Sequence, residues 1–156
     1  RLGSDVPFFL SGYRFALGRG RGDELKPLSG LGRFWHLVVS PGRSVSTKSI
    51  YLDLNLSEGL TNTNNNVKML ICALKKRDFR QVSGYIYNSL EAVTQEQYPV
   101  VAKIKHHLQA QGLDIVGMSG SGSAVFAIVR TRKEAERFES IISQGTDWRT
   151  FVVSTL

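Results

Sequence analysis

The chain has 156 residues, 42% of them hydrophobic and 21% charged, which is the composition of an ordinary globular protein and not of a disordered or fibrous one. It contains no apolar run of about 18 residues, so the sequence encodes no helical membrane span. The formal net charge of +7 favours an anionic partner, either nucleic acid or a polyphosphate substrate. The single cysteine excludes an intramolecular disulfide and suggests a reducing compartment.

Short extended segments separated by glycines are predicted for residues 1–40. The last of them, residues 34–39, is a continuous apolar run typical of a strand buried on both faces. The pair Ser46-Thr47 is expected to cap a short helix through Ile50, Tyr51 and Leu54. Residues 55–66, rich in Asn, Ser and Thr, are expected to form a surface loop.

Helical spacing of apolar residues predicts three helices in the middle of the chain. The first contains residues 67–74, including Cys72, which is expected to be a small buried hydrophobic residue. The second begins at a capping box on Asp78 and is expected to continue to Leu90. The third begins near Pro99 and ends at a glycine.

Strands alternate with a helix in the last third of the chain. Strands are predicted at residues 114–117, 124–129 and 150–155, and a helix capped by Thr131 is predicted between the last two. A turn rich in Ser and Gly separates the first two strands. This order of elements indicates the α+β class, with helices packed on one face of a mainly antiparallel sheet.

Two turns contain groups suited to phosphate chemistry. Asp5 lies in a Gly-Ser-Asp-Val-Pro turn that Pro7 stiffens, and its carboxylate is suited either to general-base catalysis or to hydrogen bonding with its own turn. Residues 119–123, Ser-Gly-Ser-Gly-Ser, are suited either to an anion-binding nest of backbone N–H groups or to a tight hairpin. This turn lacks the Gly-Lys-Ser/Thr ending of a Walker loop, and no helical pattern follows it as in a Rossmann fingerprint.

A third segment, residues 41–51, contains the hydroxyls of Ser46 and Thr47, which suit a helix cap or a substrate contact. No metal site is predicted. His106 and His107 are adjacent on a helix and face different directions, and His36 lies in an apolar strand as a core residue. Cys and His residues with zinc-site spacing are absent from the sequence.

In order and spacing these three segments, together with Asn-Ser-Leu-Glu at residues 88–91, resemble the erythritol-phosphate kinase branch of the GHMP kinase superfamily over essentially the whole chain. The resemblance implies transfer of the ATP γ-phosphoryl group, with Mg²⁺, to the 2-hydroxyl of 4-diphosphocytidyl-2-C-methyl-D-erythritol. This reaction belongs to the non-mevalonate synthesis of isoprenoid precursors, in the bacterial cytoplasm or the plastid stroma. The implied catalytic residue is Asp5. The implied contacts to substrate or nucleotide are Ser4, Thr47, Gly120, Ser121 and Gly122.

The resemblance also implies a domain organisation. Residues 1–30 would end the N-terminal catalytic domain, and residues 31–156 would form the GHMP-kinase C-terminal domain, a ferredoxin-like α/β sandwich. The family's upstream Pro-Gly-Lys and Gly-Leu-Gly-Gly-Gly-Ser-Ser motifs have no match in these residues. We therefore expect an incomplete C-terminal portion that is inactive without its N-terminal half. Tyr13, in place of a glycine, and the Asn-rich residues 62–66 depart from the family pattern.

Two alternatives remain open at this point. Another GHMP kinase, of the homoserine or mevalonate type, would share the glycine motifs, but the Gly-Ser-Asp-Val-Pro-Phe-Phe version of the aspartate motif favours the erythritol branch. A non-catalytic α+β module that binds RNA would fit the charge of +7, but it would need exposed aromatic residues on its sheet. Phe34, Trp35 and Phe126 lie in apolar contexts instead. We therefore predict neither a nucleic acid nor a membrane as a partner.

Overall fold

A computed structural model describes residues 3, 5–20, 22–54 and 63–155 of the chain, with the backbone alone described for residues 63–66. The chain divides into two compact units. The first consists of Arg1–Arg33 with Thr155–Leu156, and the second of Phe34–Ser154.

The first unit contains one short helix and one hairpin. Helix α1 is Val6–Ser11, and strands β1 (Ala16–Arg19) and β2 (Glu24–Pro27) pair antiparallel. None of the described residues of this unit is buried. The two strands were predicted from the sequence, but α1 was not, because six residues are too few to display a helical period.

The second unit is built on a four-stranded sheet in the order β4-β5-β3-β6, in which every neighbouring pair is antiparallel. This pairing confirms the predicted α+β class and the mainly antiparallel sheet. In chain order the elements are β3 Trp35–Ser40, α2 Thr47–Asp53, α3 Thr63–Lys76, α4 Phe79–Tyr85, α5 Glu91–Gln97, α6 Pro99–Ala110, β4 Val116–Met118, β5 Val125–Val129, α7 Arg132–Gly145 and β6 Arg149–Ser154.

The main core lies on one face of this sheet. Leu37 on β3 is opposite Ala127 on β5 and Val152 on β6, and Leu37 and Ala127 are fully buried. They pack with side chains of α6 and α7 such as Ile104 and Ile142. This burial of one apolar face supplies most of the favourable free energy of folding.

Alternate residues of the same strands point to the opposite face. Ile128 on β5 packs there with Leu70 and Leu74 of α3 and Phe79 of α4. Helices α3 and α4 therefore cover part of the second face, which the sequence pattern did not indicate. Strand β3 alternates between buried and half-buried residues, so the prediction that it is buried on both faces is wrong.

The predicted helix starts are confirmed at three places. Ser46, Asp78 and Thr131 each accept a hydrogen bond from the backbone N–H three residues further on, at the first turns of α2, α4 and α7. Pro99 occupies the first turn of α6, as predicted. A polar side chain in the right place is therefore enough to fix where these helices begin.

Three other predictions are wrong. The helix expected to reach Leu90 ends at Tyr85, and α5 then begins separately at Glu91. Residues 63–66 lie in α3 and not in a loop, while residues 55–62 of that predicted loop lie outside the described residues. Cys72, which was expected to be buried, is exposed.

No helix in the described parts of the chain combines the length and hydrophobicity that a membrane crossing requires.

Candidate functional site

The Ser/Gly turn of residues 119–123 joins β4 to β5. The N–H of Ser119 donates to the carbonyl of Ala124, and the N–H of Gly122 donates to the carbonyl of Ser119, both at 2.9 Å. Gly120 has φ +56° and Gly122 has φ +88°, values that favour glycine. The turn is thus a hairpin, and the N–H groups of Gly120 and Ser121 donate to no other described residue.

Two of the predicted segments meet at this turn. The Oγ1 of Thr47, in the first turn of α2, lies 2.9 Å from the Oγ of Ser121, although the two residues are 74 positions apart in the chain. Ser46 provides the helix cap, so the Thr47 hydroxyl remains available for this contact. The structure therefore brings together four of the predicted contact residues: Thr47, Gly120, Ser121 and Gly122.

Side chains from the segment before α5 and from α5 itself support the turn from behind. Asn88 Nδ2 donates to the carbonyl oxygens of Met118 at 3.0 Å and Gly120 at 2.8 Å. The single hydrogen of the buried Thr94 hydroxyl has two carbonyl oxygens within reach, that of Leu90 at 2.8 Å and that of Ser121 at 3.2 Å. The turn is therefore held at the Gly120 carbonyl by Asn88 and contacts Thr94 at the next carbonyl.

A second anchor ties α5 and α6 to the end of β4. One carboxylate oxygen of Glu91 forms an ion pair with Lys105, and the other accepts a hydrogen bond from the N–H of Met118 at 3.3 Å. Both charged side chains are only 19% exposed. At this exposure the pair is screened less by solvent than a surface ion pair would be. The Glu91 carboxylate therefore helps to hold the end of β4, the strand that leads into the turn.

The turn is also anchored and packed at its far end. The Ser123 hydroxyl donates to the carbonyl of Arg43, in the segment before α2. A Cβ atom added to Gly122 would lie 3.0 Å from both Met118 Sδ and Thr94 Cγ2. Glycine at this position is thus required by packing as well as by its positive φ.

A cavity of about 710 Å³ adjoins the turn, with Asn88 and Gly120 in its lining. Apolar side chains of α3 and β5 form much of the remaining wall, together with the rings of Tyr51 and His36. Burial lowers the pKa of His36 below its usual value of 6.5, so its imidazole is neutral at pH 7. His36 is partly buried and lines the cavity. The prediction that it is a core residue is therefore wrong.

Asp5 belongs to the first unit and directly precedes α1. Its backbone carbonyl accepts hydrogen bonds from the N–H groups of Phe8 and Phe9, at 3.1 and 3.3 Å. Its side chain is exposed and makes no capping hydrogen bond to α1. The helix start therefore does not occupy the carboxylate. Ser4, the neighbouring predicted contact, lies outside the described residues.

The turn and Thr47 are predictable from the sequence, but the roles of the groups behind them are not. The Asn-Ser-Leu-Glu segment did carry a signal for Asn88 and Glu91, because it formed part of the resemblance. Thr94 gave no signal, since a threonine inside a helix is common. Within the residues that the structure describes, no three His, Cys, Asp or Glu side chains are grouped so that they could hold a metal ion.

Comparison with known proteins adds to this geometry. The family model "GHMP kinases C terminal" matches residues 70–145. A 4-diphosphocytidyl-2-C-methyl-D-erythritol kinase from Moorella thermoacetica is 39% identical over 156 residues, which is 99% of this chain and 54% of the relative. The chain spans about half the length of the curated relatives it matches.

Solved structures agree with these matches. A crystal structure of 4-(cytidine 5'-diphospho)-2C-methyl-D-erythritol kinase superposes with a TM-score of 0.73 at 29% identity, over 96% of this chain and 53% of that one. A homoserine kinase from Cytophaga hutchinsonii shares the fold, with a TM-score of 0.70 at 19% identity over 90% of this chain and 47% of that one. In sequence and in fold the chain therefore matches the C-terminal domain of the GHMP kinases.

Proposed function

We propose that the whole protein transfers the γ-phosphoryl group of ATP to the 2-hydroxyl of 4-diphosphocytidyl-2-C-methyl-D-erythritol. The observation that carries this proposal is the meeting of Thr47 and Ser121 at the Ser/Gly turn, 2.9 Å apart, in a chain whose curated relatives are named as kinases of that compound. The likeness to homoserine kinase, at 19% identity, concerns the fold alone. The aspartate motif also favours the erythritol branch.

The turn would act on phosphate oxygens. The N–H groups of Gly120 and Ser121 and the hydroxyls of Thr47 and Ser121 are hydrogen-bond donors within one small region. Backbone N–H groups at such a glycine turn form a concave site for anions. Donors fixed before the reaction stabilise the charge that develops on the transferring group without reorganising during transfer. The neighbouring hydroxyls would orient the phosphates.

Asp5 would orient the attacking hydroxyl and accept its proton. Phosphoryl transfer proceeds through a loose transition state, which requires orientation and a late proton acceptor more than strong early activation. The carboxylate of Asp5 is exposed and does not cap α1. The resemblance of residues 2–10 to the family's aspartate motif supports this role for Asp5 rather than for another carboxylate.

The family implies Mg²⁺ together with ATP. Among the described residues no three His, Cys, Asp or Glu side chains are grouped so that they could hold a metal ion. The positive net charge of +7 is favourable for two polyphosphate substrates. The part we propose for this chain is that of its hydrogen-bond donors, its positive net charge and Asp5.

We further propose that residues 1–30 are the end of the N-terminal catalytic domain and that residues 31–156 form the C-terminal domain. The remaining partner would then be the rest of the same protein, since the chain spans about half of its relatives. By itself the chain would show no turnover. Cytoplasm, or plastid stroma, is the proposed location, in keeping with the small-molecule substrates.

Steady-state kinetics on the full-length protein test the substrate assignment. With ATP and Mg²⁺ in excess, we expect kcat/KM for 4-diphosphocytidyl-2-C-methyl-D-erythritol to exceed that for homoserine and for mevalonate by at least about 10³-fold, as expected where a site hydrogen-bonds polar groups that the competitors lack. Comparable values for homoserine or mevalonate would overturn the assignment. The 156-residue chain, assayed in parallel, is the control for activity that requires the other half.

A further inference from the structure

Asn88 has a hydrogen-bonding pattern that reaches from one helix start to the Ser/Gly turn. Its Nδ2 donates to the carbonyl oxygens of Met118 and Gly120, and its Oδ1 accepts from the N–H of Leu90 at 3.0 Å. Both donor hydrogens and one acceptor site are therefore in use. The side chain is partly buried, in the segment between α4 and α5.

The bond to Gly120 determines where the next N–H group points. A trans peptide is planar, so its C=O and its N–H point in opposite directions. Asn88 holds the Gly120 carbonyl at 2.8 Å, and the N–H of Ser121 must therefore point away from Asn88. Like the N–H groups of Gly120 and Ser123, that N–H donates to no other described residue.

We propose that Asn88 is a positioning residue that directs the Ser121 N–H toward a phosphate group of the bound substrate or nucleotide. The inference rests on the proposed kinase function and deepens it, because it names a group that prepares the turn without touching the ligand. It also explains why a side-chain amide stands at this position. A hydroxyl could donate to only one carbonyl, whereas the amide donates to two and still accepts from Leu90.

The substitution Asn88→Asp separates the donor function from the shape. Aspartate has nearly the same size and keeps the acceptor for the Leu90 N–H, but as a carboxylate it presents only acceptors to the two carbonyl oxygens. Those carbonyls disfavour the charged form and would raise the pKa of the new carboxyl. A protonated carboxyl regains one donor, so the defect should diminish as the pH falls.

Other ionisable groups near Asn88 are the same in both proteins. The ion pair of Glu91 with Lys105 lies beside the Met118 N–H, and the remaining ionisable groups that line the adjoining cavity are His36, Tyr51, Tyr85 and Tyr87. Their titration contributes to the pH profile of the variant and of the wild type alike. The ratio of the two profiles therefore isolates the group at position 88.

The experiment compares kcat/KM for ATP in the full-length wild-type protein and Asn88→Asp at pH about 8 and about 6. We expect a loss of about 10- to 100-fold at the higher pH, as for carbonyls that lose a hydrogen-bond donor, and a clear recovery of the ratio at the lower pH. Gln109→Glu, the same chemical change on an exposed residue of α6, is the matched control. Gln109→Glu should leave kcat/KM for ATP unchanged at both pH values.

An unchanged kcat/KM in Asn88→Asp would overturn the proposal, and so would a pH-independent loss accompanied by a lowered melting temperature. If the wild-type protein phosphorylates no tested alcohol, the proposed function fails separately. The inference is then tested by titrating inorganic pyrophosphate while following the Ser121 amide resonance by NMR. A shift in the wild type that is lost in Asn88→Asp at the higher pH supports the inference, and no shift in the wild type contradicts it.

Discussion

The two compact units of the chain hold their candidate functional residues in different ways. In the first unit Asp5 precedes a six-residue helix beside a two-stranded hairpin, and none of the described residues there is buried. In the second unit Thr47 and Ser121 lie on elements that pack around a continuous core. The apolar residues Phe9 and Leu10 of the first unit are 78% and 81% exposed.

This difference indicates what each region depends on. An isolated hairpin and a single short helix are marginally stable in water, because little apolar surface is buried to offset the lost chain entropy. The setting of Thr47 and Ser121 is therefore fixed by the second unit itself, whereas the described residues around Asp5 have no core of their own. This contrast suits the proposal that residues 1–30 end a larger domain.

The largest expected effect comes from Asp5→Asn in the full-length protein. Asparagine keeps the size but removes the proton acceptor and the charge, so kcat should fall by about 10²- to 10⁴-fold, or about 3 to 5 kcal/mol in the activation free energy. Steady-state kinetics and a melting curve on the same variant measure both quantities. A nearly normal kcat with a lowered melting temperature would make Asp5 a structural residue.

The second prediction concerns stability in the two units of the 156-residue chain. Leu37 is fully buried on β3, and Leu37→Ala should lower the free energy of unfolding by about 2 to 5 kcal/mol through lost burial and the cavity left behind. Leu10→Ala, at a residue that is 81% exposed, should change it by less than about 0.5 kcal/mol. Urea unfolding measures both, and equal effects would remove the contrast between the units.

The third prediction compares two glycines with positive φ, Gly12 in the first unit and Gly122 in the second. A Cβ at Gly12 meets nothing within 4 Å, so Gly12→Ala should lower stability by about 1 to 2 kcal/mol, the strain of a left-handed residue. Gly122→Ala adds the close approach to Met118 and Thr94, and should lower stability by a further 1 kcal/mol or so. Thermal unfolding of the two variants measures both losses of stability. A larger loss of stability in Gly12→Ala than in Gly122→Ala would contradict the close packing inferred at Gly122.

Much of the fold could be predicted from local signals. The starts of α2, α4, α6 and α7 follow from Ser46, Asp78, Pro99 and Thr131, because capping depends on a few neighbouring residues. What failed depends on tertiary contacts. The placement of α3 and α4 on the second face of the sheet, through residues such as Ile128, has no counterpart in the periodicity of any one segment.

The candidate site shows the same division. Thr47 and the Ser/Gly turn were predicted by a resemblance that spans the chain, yet their contact across 74 positions emerges only in the folded structure. The contacts of Asn88 and Thr94 with the turn depend on how the chain enters and forms α5, a helix that was not predicted from the sequence. A helix of seven residues gives a weak periodic signal.

The chemical identity of the product tests the proposed kinase activity. The full-length protein is incubated with ATP, Mg²⁺ and 4-diphosphocytidyl-2-C-methyl-D-erythritol labelled with ¹³C at carbon 2, and the product is examined by ³¹P and ¹³C NMR. We expect a new phosphate resonance coupled to the labelled carbon, formed with one equivalent of ADP. Release of ADP without that coupling, or phosphorylation at another hydroxyl, would contradict it.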